Sequence, residues 1–218
     1  ITKYQYNWPI KESINEIRLF PHNFDNQDVL QHQLLITNSP EIYISEDCFG
    51  NRVGNFNTLE THSEMVIESR MLVRVNHSLK IPEIESTTID DLIEEKEKSI
   101  NLLRLCYPEV IEKQNEIIAI LDKINFKNKS IIEIAQLCNE YVFSNFTYTK
   151  GITNIETTVD EILEIKKGVC QDFAHVMLAC LRSMGLAARY VSGYLVTEVP
   201  EGQTRLIGSD ASHAWVSV

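Results

Sequence analysis

The hydrophobic period of this chain changes once, near Pro82, and that change limits the folds open to it. Before Pro82, apolar residues alternate or come in short runs, so residues 16–20, 31–36 and 65–75 read as strands. Turn signals separate them at Pro21-His22-Asn23, Asn38-Ser39-Pro40 and Gly50-Asn51, and Asp47 to Val53 reads as one hairpin. Short strands with frequent turns imply an antiparallel β-sandwich. After Pro82 the spacing becomes helical. Residues 90–104 and 108–124 each read as one helix, and Ser130 with Glu133 three positions on is a capping box opening a third. A strand or loop passes through Phe146-Thr147-Tyr148, and a short helix follows near 159–165. The order of strands first and helices second predicts an α+β protein, with domains at 1–80 and 81–218 and a boundary within 78–90.

The chemistry concentrates in two segments of the second part. In Gly168-Val169-Cys170-Gln171-Asp172-Phe173-Ala174-His175 a cysteine opens an apolar helix, marked by Phe173, Met177, Cys180, Leu181 and Met184 and closed by Gly185. Unpaired N–H groups and the helix dipole at such a position favour an anion, and a free thiol near pKa ~8.5 can fall to roughly 3.5–7.5 there. Cys170 is therefore a nucleophile candidate. Cys106, Cys138 and Cys180 lie on or beside apolar faces and read as small buried hydrophobes. In Ser212-His213-Ala214-Trp215-Val216 the alternation puts His213 and Trp215 on one strand face and Ala214 and Val216 on the other. His213 reads first as a half-exposed strand residue, with a general base as the alternative. His175, five positions after Cys170, is rotated ~140° around the helix and should not reach the thiol. Asp172 suits a first-turn acid interacting with the helix dipole, with support of the site as its alternative.

Composition narrows the function. With 20 basic and 31 acidic residues, a formal charge of −11 argues against non-specific nucleic-acid binding. No apolar stretch approaches the ~18 residues of a membrane span. Five widely spaced cysteines, an odd number without zinc-site spacing, argue against a disulfide framework or a structural metal and for a reducing, cytoplasmic setting.

Together the two segments resemble the transglutaminase-like superfamily, with its papain-like core, and in particular the bacterial branch carrying an N-terminal β-region. Residues 181–194, Phe146-Thr147-Tyr148, and residues 1–75 with Asp47, Gly50 and Asn51 carry the same resemblance. It implies a Cys-His-Asp triad with Cys170 as nucleophile and His213 as base. It also puts the aspartate on the strand after that of His213, beyond Val218, so the core reads as incomplete at its C-terminal side. Asp210, three residues before His213, does not substitute simply. Tyr148, Gln171, Asp172 and Trp215 are expected around the substrate or oxyanion. The implied reaction is acyl transfer on a peptide or protein amide, without cofactor or metal. Hydrolysis by a cysteine protease, peptidase or amidase comes first. Protein-glutamine transglutamination or deamidation is the alternative, and a non-catalytic binding module is the third reading.

Overall fold

The computed structural model describes residues 1–24, 26–76, 87–195 and 212–218. They fall into two compact units, Ile1–Ile81 and Pro82–Val218.

The first unit is built from β1 (Thr2–Ile10), β2 (Ser13–Ile17), β3 (Gln27–Ile36), β4 (Tyr43–Glu46), β5 (Arg52–Thr58) and β6 (His62–Val75). They form two antiparallel three-stranded sheets, ordered β1-β6-β3 and β2-β5-β4. Ile17 and Phe56 from one sheet meet Ile36, Met65 and Ile67 from the other in a shared core, the section of a sandwich. Gly54, opposite Ile17, is closely overlaid by side chains: a Cβ there would lie 2.9 Å from the Phe20 ring. The hairpin at Asp47 is formed as its residues suggest. The Asp47 carboxylate accepts the N–H groups of Phe49 and Asn51, and Gly50 supplies φ +78. The strand expected over residues 16–20 instead ends at Ile17, where Arg18 leaves the ladder to pair with Asp47 at 2.6 Å.

The second unit contains α1 (Ile89–Lys96), α2 (Ile100–Leu105), α3 (Gln114–Ile124), α4 (Ile131–Asn145), β7 (Thr147–Tyr148), α5 (Val159–Ile165), β8 (Lys167–Gly168), α6 (Cys170–Ser183), β9 (Arg189–Gly193) and β10 (His213–Ser217). Helix α6 is the hub, packed by α3, α4, α5, β9 and β10. Its Val176, Leu178 and Leu181 join Ile117, Ile134 and Ile162 in the core. Gly185 at φ +77 ends the helix's final turn. Three helices open on full capping boxes: Thr88 with Asp91, Ser130 with Glu133, and Thr158 with Glu161.

Two expected helices differ. The segment 90–104 is broken, because the Ser99 hydroxyl accepts the Leu102 N–H and starts a new helix. The helix expected from residue 108 begins at Gln114, and its entry is capped from a distance: the Asp160 carboxylate accepts the N–H groups of Glu112 and Lys113. No helix among the described residues is long and apolar enough to cross a membrane.

Candidate active site

Helix α6 starts at Cys170 because the chain arrives extended and is pinned one residue earlier. Gly168 pairs with Tyr148 in the short parallel ladder β7–β8, and Val169 is the N-cap, extended at φ −117. The Asp172 carboxylate Oδ2 accepts the Val169 N–H at 2.7 Å and the Thr153 hydroxyl at 2.8 Å. Asp172 is 4% exposed, and residue 168 must be glycine to admit it: a Cβ there would stand 2.5 Å from Oδ2. The first helical bond runs from the Phe173 N–H to the Val169 carbonyl. The N–H groups of Cys170 and Gln171 precede it and face outward at the positive end of the helix dipole. Cys170 is half-buried there.

The remaining thiols have other surroundings. Burial pushes Cys138 up to about 12, and Cys180 likewise, with the neighbouring Cys138 adding to it. Burial also raises Cys106, against the opposing charges of Lys96 and Arg182. Cys48 is exposed on the hairpin loop of the first unit.

Tyr190 and Thr153 are neighbours of the site that residue patterns alone did not single out. Tyr190 on β9 is half-buried, and its hydroxyl is held protonated above its ordinary range by burial first, then by the charges of Cys170 and Asp172. Its ring stacks on His175, centroids 5.1 Å apart and planes at 25°. The rotation that keeps His175 from the thiol brings it alongside Gln171 and Asp172. These three line a cleft of about 300 Å³ that Glu109, Thr157 and Thr158 help to close. The signal for Tyr190 was its place in the strand run after Gly185; Thr153 had none, being a loop hydroxyl 19 residues from its partner.

His213 is the first residue of β10, half-buried and opposite Gly193. Strand β10 packs on α6, with Val216 and its partner Tyr190 against the core. Alternation therefore puts His213 and Trp215 on the other face. Among the described residues no hydrogen bond joins His213 to Cys170, and with His213 on the strand face opposite Val216 their pairing rests on the family resemblance rather than on this geometry. Trp215 is 40% exposed, its indole lying where a Cβ on Gly193 would be, 2.7 Å away. Tyr148 is 53% exposed and meets Phe173 edge to face at 6.4 Å. Asp210 lies outside the described residues.

Similarity to known proteins identifies the family and the fold. Residues 118–218 match the transglutaminase-like superfamily and residues 1–74 the bacterial transglutaminase-like N-terminal region. An uncharacterized protein of Mycobacterium tuberculosis is 35% identical over 229 residues, covering 100% of this chain and 71% of its own length. The chain belongs to the transglutaminase-like superfamily. A Pseudomonas aeruginosa protein-glutamine gamma-glutamyltransferase is 31% identical over 86 residues, 38% of this chain and 13% of its own. The crystal structure of a protein from Cytophaga hutchinsonii described as a putative cysteine protease superposes with a TM-score of 0.72. It covers 98% of this chain and 68% of its own at 18% identity, which establishes the shared fold. This transglutaminase-like chain is thus a β-sandwich followed by a papain-like core.

Proposed function

We propose that this transglutaminase-like protein is a thiol-dependent enzyme that cleaves amide bonds of a peptide or protein substrate by acyl transfer to water. The observation that carries the reading is the position of Cys170: half-buried, first in α6, and preceded by an N-cap without a side-chain acceptor. His213 takes the thiol proton, and the Cys170 thiolate attacks the amide carbonyl carbon. The oxyanion is met by the Cys170 N–H and a second donor on the Tyr148 side. The C–N bond then breaks, His213 delivers its proton to the leaving amine, and a thioester remains. Water, deprotonated by His213, attacks the thioester and releases the acid, and the proton returns to the thiolate. A triad aspartate would fix the imidazole tautomer. The odd, widely spaced cysteines support a cytoplasmic setting.

The similarity to the Pseudomonas gamma-glutamyltransferase favours a second reading, in which a lysine amine replaces water as acceptor or glutamine is deamidated. Mass analysis of the products from a blocked glutamine peptide, with and without an added primary amine, separates the readings: ammonia leaves in every glutamine reaction, deamidation gives the side-chain acid and transamidation the amine adduct. Scission of a backbone amide marks the hydrolase that cleaves peptides. Titration with iodoacetamide tests the enzyme reading against a binding module. A single fast-reacting thiol, absent in Cys170→Ala, is expected, and uniformly slow alkylation at neutral pH would overturn it.

A further inference from the structure

Among the described residues five helices of the second unit carry an acidic residue at the third position: three open on hydroxyl caps, α3 opens on Lys113 with a half-buried Glu116, and α6 differs from all of them in burying its acid. At α1, α4 and α5 the N-cap is Thr88, Ser130 or Thr158, whose hydroxyl accepts the N–H of the third residue. The acids there, Asp91, Glu133 and Glu161, are exposed. At α6 the N-cap is Val169, which has no oxygen to offer, and the acid is buried and held by Thr153 from a separate loop. A hydroxyl at position 169 would lie over the first turn and take the Asp172 N–H, on the side from which an oxyanion must approach the Cys170 N–H.

We propose that the entry to α6 is a capping box with its hydroxyl half removed. Val169 leaves the first-turn N–H groups open to the substrate oxyanion, and Asp172, braced by Thr153, is the positioning residue that keeps the Cys170 N–H aimed there. The inference rests on the acyl-transfer reading above. Asp172 retains only the half of the box that binds backward, to the Val169 N–H. That contact holds the Gly168–Val169 peptide and removes a rival donor, while the Val169 carbonyl, which shares its peptide plane with the Cys170 N–H, is held by the Phe173 N–H. The burial of the acid and the glycine at 168 that admits it follow from the same requirement.

The test compares two reactions of one thiol. With p-nitrophenyl acetate, the Cys170 thiolate attacks the carbonyl carbon, the C–O bond breaks, p-nitrophenolate leaves with the electron pair, and a thioester forms through an oxyanion. With iodoacetamide, the thiolate displaces iodide at a saturated carbon, and no oxyanion arises. In V169T, nearly isosteric with the native residue, acylation should slow about tenfold or more while alkylation changes less than about threefold, with thermal stability equal or higher. In D172A acylation should fall about 30-fold or more beyond any change in alkylation, and in D172N by less, since the amide oxygen can still accept the Val169 N–H. Acylation of V169T at the wild-type rate, or parallel loss of both reactions in D172A and D172N, would overturn the positioning role alone. A wild-type protein whose Cys170 is alkylated rapidly but never acylated would overturn the acyl-transfer reading and this inference with it.

Discussion

Gly168→Ala is the substitution for which the structure yields the most direct magnitude. The added Cβ would lie 2.5 Å from Asp172 Oδ2, 2.8 Å from its Cβ and 2.9 Å from its Cγ. Real Cβ atoms do not approach neighbours so closely, so either Asp172 or the backbone at residue 168 must shift. Either the carboxylate is displaced, losing two hydrogen bonds to a charged group at about 1.5–3 kcal/mol each, or the backbone moves, at an overpacking cost of about 1–3 kcal/mol. The cheaper route sets the outcome, so about 1–3 kcal/mol is expected. For a unit of this size that lowers the melting temperature by about 4–10 °C. The described helices all lie in the second unit, so the loss of ellipticity at 222 nm reports its melting separately from the sandwich. The cause is isolated by repeating the change in a D172A background. With the obstructing side chain gone, the same Cβ should cost less than about 1 kcal/mol. A shift below about 2 °C in the wild-type background, or an equal cost in both backgrounds, would refute the steric reasoning.

Alkylation of the native protein, mapped by mass spectrometry, should find Cys170 modified first and Cys48 second, while Cys106, Cys138 and Cys180 stay protected until unfolding. Modification of Cys138 or Cys180 at the rate of Cys48 would contradict the burial that pushes both thiols up to about 12. His213→Ala should slow acylation of Cys170 at pH 7 by about 100-fold, with partial recovery at high pH where the thiol ionises unaided; a loss under threefold would remove His213 as base. The capping acids give a pH test. Hydrogen bonds from Thr88, Ser130 and Thr158 hold Asp91, Glu133 and Glu161 below their ordinary carboxylate ranges. A depressed folded value means stability present above the unfolded value and lost as pH falls through the folded one. The melting-temperature gap between the wild type and a T88A/S130A/T158A variant should therefore be constant above about pH 5.5 and narrow below about pH 4. An equal gap at pH 3 and pH 7 would refute this.

What was legible in the sequence was local. Ser130 with Glu133, the short helix ending at Ile165 and the helix opening at Cys170 each depend on residues within one or two turns of each other. The alternation placing His213 and Trp215 on one face is equally local. Contacts between distant segments were not legible. Nothing near Asp172 announced Thr153 as its partner, and nothing in residues 108–113 showed that the helix there would begin only at Gln114. Strand β1 escaped because its Tyr4 and Trp8 remain exposed, so its apolar residues do not mark a buried face. The pairing of Cys170 with His213 as a functional unit came from the family resemblance, since neither residue's own surroundings require the other.

The cap on α3 has a bearing on how the second unit comes together. The N–H groups of Glu112 and Lys113 are satisfied by Asp160, a residue of α5, 48 and 47 positions further along the chain. The start of α3 is thus a tertiary event, complete only once α5 has docked. In hydrogen-exchange measurements those two amides should open with α5 as one cooperative unit, apart from the amides in the middle of α3. A nascent α3 on the ribosome would then carry a frayed first turn until residue 160 had emerged.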